Sequence, residues 1–200
     1  ACLLAHDNEG NTLIHYIFKH NCRTDSKPPI VQYLEKISHT PHVRNNNGDT
    51  PLMVAIQAAA EGCVPVNGLM RDLPLARWVM QASIALGTPP PGNNPDAPNN
   101  SKTPLEMAVT LGALHVVYHM IHSGANINVR ASEGGGSMLH LALQKRDEEM
   151  VLYLLDQRVA PPMDMSIVDN EGRTALLLAT EPRLCHMLVK TLTLTGILDQ

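Results

Sequence analysis

Residues 103–128 read TPLEMAVTLGALHVVYHMIHSGANIN, and the fold follows from this stretch. Thr103 can cap a helix, and Pro104 fits its first turn, where the missing N–H would be unpaired anyway. Leu105, Ala108 and Val109 recur at i, i+3, i+4 and make one apolar face. Gly112 is placed to end that helix, because the C-terminal cap needs a positive φ that glycine adopts without a Cβ clash. Val116, Val117, Met120 and Ile121 form the apolar face of a second helix, closed by Gly124. Residues 125–128 then lead out in an extended form. Two helices this short are not stable alone, since nucleation is costly and each buries little. The pair therefore requires similar pairs stacked beside it.

The chain supplies them. The helix start recurs as DNEGNTLIH at 7–15, NNNGDTPLMVA at 45–55, GGSMLHLA at 135–142 and DNEGRTALLLA at 169–179. The second helix recurs as IVQYL at 30–34, ARWVM at 76–80, MVLYLL at 150–155 and LCHMLV at 184–189. This pattern, D-x-x-G-x-T-P-L-H-x-A followed by a second helix and G-A-N-I-N, resembles the ankyrin repeat, whose period is about 33 residues. The resemblance implies an all-α ankyrin-repeat solenoid, helix-turn-helix units joined by β-hairpin connections. It implies one domain over residues 1–200 with about five repeats, near 7–44, 45–98, 99–132, 133–168 and 169–193.

The spacing is irregular. From Thr12 to Thr50 is 38 residues, to Thr103 a further 53, to Ser137 34 and to Thr174 37. The excess falls in insertions at 21–29, 62–74 and 88–101. The last, TPPPGNNPDAPNNS from Thr88 to Ser101, is rich in Pro, Asn and Gly and is expected to project from the stack as a mobile, irregular segment. These elaborations are similar to those of the IκB proteins, which bind Rel-type transcription factors. The similarity is clearest from Gly124 to Leu155, where extra hairpin residues precede Met138-Leu139-His140-Leu141-Ala142. It implies a non-enzymatic regulator in NF-κB signalling, cytoplasmic or nuclear, acting by occlusion or recruitment. A general ankyrin scaffold in a signalling complex without a Rel partner is the alternative reading. An enzyme's targeting module is a third.

Composition narrows the function classes. The 200 residues carry a net charge of −4 and 3% aromatics, which argues against a basic stripe or stacking platform for nucleic acid. No apolar run has the length of a bilayer span. Cys2, Cys22, Cys63 and Cys185 are far apart and read as free thiols. The ten histidines form no catalytic set with a nucleophile and an orienting group. His15 and His140, at the T-P-L-H position, are expected to tie turn to helix. His115, His119 and His122 share a helix face, but they interleave with packing residues and are expected to face solvent. Neither cofactor, metal nor small-molecule substrate is indicated, and no catalytic residue is assigned. Asp147-Glu148-Glu149 reads as a helix cap, where negative charge suits the macrodipole.

A stack of this kind binds protein partners through its concave face and turn tips. The candidate contacts at the tips are Asn8, Glu9, Asn11, Arg44, Asn46, Asn47, Asp49, Arg130, Ser132, Glu133, Asn170, Glu171 and Arg173. On the first helices they are Tyr16, Lys19, Met53, Gln57, Glu106, Thr110, Gln144 and Lys145.

Overall fold

The computed structural model describes residues 5–20, 43–60, 102–156 and 163–194. The expected second helices at 30–37 and 75–86, with Trp78, and the three insertions lie outside the described residues. Among the described residues there are eight helices: α1 (Leu13–His20), α2 (Pro51–Ala60), α3 (Pro104–Thr110), α4 (Leu114–His122), α5 (Met138–Lys145), α6 (Glu148–Leu154), α7 (Ala175–Leu178) and α8 (Pro182–Leu194). They fall into two compact units, Ala1–Gly124 and Ala125–Gln200.

In the first unit α1 packs on α2, α2 on α3, and α3 on α4. The equivalent apolar slot of each first helix is filled by Ile14, Leu52 and Leu105, all buried. Val116, Val117, Met120 and Ile121 are buried on α4. The start of α3 is a capping box. Glu106 N–H donates to Thr103 Oγ1 at 3.2 Å, and Thr103 N–H donates to Glu106 Oε2 at 3.4 Å. Its end is a Schellman turn. Ala113 N–H donates to the Ala108 carbonyl and Gly112 N–H to that of Val109, with Gly112 at φ +67°.

In the second unit α5 packs on α6 and α7, and α7 on α8. Leu139, Met150, Val151, Leu154 and Leu188 are buried, whereas Leu176 is half-buried. Helix α7 has four residues because Ala179 turns extended at ψ 94°, just ahead of Pro182, which opens α8. Asp147 caps α6 by accepting the Met150 N–H at 3.0 Å, and Glu148 and Glu149 are exposed.

The turns depart from the expected β-hairpins. Among the described residues they are reduced to single antiparallel bridges, His6 with Thr12 and Val168 with Thr174. The physical reason is that a side chain closes three of the turns. Asp7 Oδ1 accepts the N–H groups of Glu9 and Asn11, Asn45 Oδ1 those of Asn47 and Asp49, and Asp169 Oδ1 those of Glu171 and Arg173. A carboxylate or amide oxygen that satisfies two backbone donors does the work of a strand pair, so the chain enters the helix at once.

Arg146 occupies in α5 the place that Gly112 holds after α3. Its φ is +57°, and the same two cap bonds form, from Arg146 N–H to Leu143 and from Asp147 N–H to Ala142. A side chain in the left-handed region costs roughly 1–2 kcal/mol, part of which glycine's backbone entropy offsets. Arg146→Gly is therefore expected to stabilise the protein by up to about 1 kcal/mol, seen as a higher denaturation midpoint at unchanged slope. Gly135→Ala is expected to act oppositely, since its Cβ would lie 2.0 Å from Asn170 Oδ1 at φ +65°.

Candidate interaction site

The third residue of each first helix occupies an equivalent position, held by His15, Met53, Glu106, His140 and Leu177. In two of the five it is an imidazole that does two jobs. His15 Nδ1 accepts the Thr12 N–H at 3.0 Å, and its Nε2–H donates to the Asp49 carbonyl of the next turn at 3.1 Å. His140 repeats both, with Ser137 at 3.1 Å and the Arg173 carbonyl at 3.1 Å. Both rings are buried. Because Nδ1 accepts a backbone N–H, each ring must be the neutral Nε2–H tautomer. Burial pushes the His15 pKa below 6.5, against the opposing pull of the Asp49 carbonyl and the Asp7 charge.

Neighbouring turns are joined a second time at their tips. Asn46 N–H donates to the Glu9 carbonyl, and its Nδ2 to the Asn8 carbonyl, both at 2.9 Å. Asn45 Nδ2 donates to Asn11 Oδ1 at 3.0 Å. In the second unit Asn170 N–H donates to the Gly134 carbonyl at 2.8 Å, and Arg130 Nη1 donates to the carbonyls of Gly135 and Val168.

Between α1, α2 and the first two turns lies an open groove of about 160 Å³, lined by Glu9, Asn11, His15, Tyr16, Lys19, Asn45, Asn47, Asp49, Val54, Gln57 and Ala58. From α2 the lining includes the short side chains of Val54 and Ala58, and from α1 that of Tyr16. Tyr16 is 42% exposed. Its hydroxyl donates to Asp7 Oδ2 at 2.5 Å. That bond, with the N–H groups of Asn11 and Glu9, outweighs desolvation and holds the Asp7 carboxyl at a pKa of about 2. The Tyr16 hydroxyl is correspondingly pushed up. Gln57 Nε2 donates to Asp49 Oδ1 at 3.3 Å and closes one side.

Residues 105–196 match the family model described as ankyrin repeats, three copies. That stretch is thus similar to ankyrin repeats. A 77-residue stretch, 38% of the chain, is also 34% identical to the palmitoyltransferase AKR1 of Lachancea kluyveri. The chain spans about a tenth of the length of that relative. With the helix pairs described above, the fold class is the all-α ankyrin-repeat solenoid, and the ankyrin repeat is a protein-interaction module.

The candidate contacts divide accordingly. Glu9, Asn11, Tyr16, Lys19, Asn47, Asp49 and Gln57 come together around the groove. Asn8 and Asn46 are exposed but clasp the first two turns. Four assignments are corrected in part or whole by burial. Met53 is 0% exposed and packs in the core. Glu106 is buried as the capping-box partner of Thr103. Asp49 reaches the groove only as part of its floor, at 3% exposure. Arg44, 2% exposed, donates to the carbonyls of Gly48 and Lys102, the latter at 2.9 Å. Its guanidinium therefore pins the second turn to the start of the third repeat, and desolvation lowers its pKa.

Thr110 is half-buried and bonds the Glu106 carbonyl. In the second unit Ser132, Glu133, Gln144, Lys145, Asn170 and Glu171 are exposed, as is Arg130 with its two bonds. Arg173 is engaged by Asp169 and Glu171, each at 2.8 Å.

The groove also draws in His15, Asn45, Val54 and Ala58, which the sequence does not mark as contacts. The available signal was the run of small residues in α2 opposite an exposed tyrosine. On α4, His122 stacks on Tyr118 with ring centres 4.0 Å apart and donates Nδ1–H to the Tyr118 carbonyl. Among the described residues no group of three or more His, Cys, Asp or Glu is placed to hold a metal, and no helix is long and apolar enough to cross a membrane.

Arg44→Ala removes charged donors from buried carbonyls and is expected to destabilise the protein by roughly 3 kcal/mol, measured by denaturant titration. Asp7 has its pKa depressed from 3.8 to about 2. Its stabilising contribution is thus complete above pH 3.8 and lost as pH falls towards 2. Asp7→Asn should lower the melting temperature at pH 7 and flatten its decline over that acid range.

Proposed function

We propose that this chain is an IκB-like regulator that docks a Rel-type transcription factor, in the cytoplasm or nucleus, without chemistry of its own. The observation that carries the docking reading is the convergence of seven candidate contacts on the groove between α1 and α2. The groove offers what a protein surface uses: a partly exposed tyrosine ring, amides that can donate and accept, and charges of both signs in Glu9 and Lys19. Such a mixture suits a folded polar partner better than a polyanion. The Rel-type identity of the partner rests on the long loop from Gly124 to Ser137 and the helix that follows it.

A second reading is supported by the match to the palmitoyltransferase. In it the repeats are a general ankyrin scaffold or adaptor in a signalling complex, with no Rel partner.

Gel filtration of the protein with a Rel homology dimer at micromolar concentration separates the two. Co-elution is expected, with Tyr16→Ala weakening the complex about 30-fold, as for an interfacial aromatic anchor. Absence of a complex would retire the Rel partner in favour of the adaptor reading. A complex indifferent to both Tyr16→Ala and Lys19→Glu would move docking away from the groove.

A further inference from the structure

His15 is at once a wall of the groove and the bond that fixes the groove's opposite lip. Its Nε2–H holds the Asp49 carbonyl, and Asp49 belongs to the turn that supplies Asn45, Asn47 and Asp49 to the lining. Its Nδ1 is already occupied as an acceptor, for the Thr12 N–H at 3.0 Å, with Thr12 Oγ1 also at 2.9 Å. Any proton added to the ring must go to Nδ1. It would then set an N–H against the Thr12 N–H at a buried site, which costs that helix-start bond and leaves Thr12 Oγ1 as the one acceptor for the new donor. The repulsion drives the ring from its slot, and the Asp49 carbonyl then loses its bond from the first repeat and keeps only the Asn45 N–H of its own turn.

We propose that His15 is a proton-sensitive latch on the groove, so that acidification loosens the second turn from the first and weakens the docking of a partner there. The regulatory step rests on the reading of the groove as the docking site; the latch itself does not.

The groups facing His15 are Asp7 on its own turn, Glu9, Tyr16 and Lys19 around the groove, and Asp49 from the following turn. From α2 the lining residues are Val54, Gln57 and Ala58, none of which titrates. Asp7 and Asp49 favour a charged imidazole, and burial opposes it; burial prevails. For a base whose folded-state pKa lies below its unfolded value, the unfolded chain takes up the proton first. The stabilising contribution is therefore complete above about pH 6.5 and declines as pH falls below it.

The second repeat provides its own control. Met53 fills the same position with no titrating group and is fully buried, so the slot accepts a thioether. The test follows the Asn46 amide, which bonds across the joint to the Glu9 carbonyl. Its hydrogen-exchange protection factor, corrected for intrinsic exchange, is measured at pH 7.5 and 5.5. At least a tenfold loss of protection is expected in the unaltered protein and none in His15→Met. Should His15→Met fail to fold by circular dichroism, His15→Gln serves, since it keeps an N–H donor and does not titrate. Equal protection at both pH values in the unaltered protein, or an equal loss in the variant, overturns the latch. Partner capture at pH 7.5 is measured separately. Its failure sinks the docking reading and with it the regulatory step, but leaves the Asn46 result to decide the latch.

Discussion

The constraint on which the rest depends is that a short helix cannot satisfy its own first turn. Four N–H groups at each helix start have no partner within the helix. In this protein the answer to that deficit also joins one repeat to the next. Glu106 answers it locally, with a carboxylate that closes a box on Thr103. His15 and His140 answer it with one ring nitrogen and use the other to hold the following turn. A carboxylate, which only accepts, cannot do both. An imidazole can, because its two nitrogens carry opposite roles in the neutral form.

The turns follow the same economy. An Asp or Asn at the first position accepts two backbone N–H groups, and the tip of the next turn bonds to carbonyls left over on the one before. Because these tip bonds are built into the joints, many polar residues that look free for recognition are engaged. Arg44 is the extreme case, a cation drawn wholly inside to satisfy two carbonyls. The groove between α1 and α2 stays open, lined by Val54 and Ala58 of α2 and by the partly exposed Tyr16.

Legibility in the sequence tracked the range of the interaction. Helix starts at Leu13, Pro51, Pro104, Met138 and Ala175 were readable because capping and apolar spacing act over three or four residues. The glycine stop at Gly112 was readable for the same reason, whereas Arg146 took the identical conformation with no glycine to announce it. The double role of His15 was half readable. Its position marked it as a tie within the structure, but its share in the groove depends on Val54 and Ala58, some 40 residues away.

By itself the sequence determined, over the described residues, which segments are helices and where the first helices begin. Those are consequences of local hydrogen bonding and of apolar periodicity, and both are written in adjacent residues. Only the tertiary structure decided which polar side chains remain available. Arg44, Asp49, Met53 and Glu106 have the same residue types as surface contacts, yet the folded chain buries them. Burial is a property of the joint between two segments, so no reading of one segment alone can supply it.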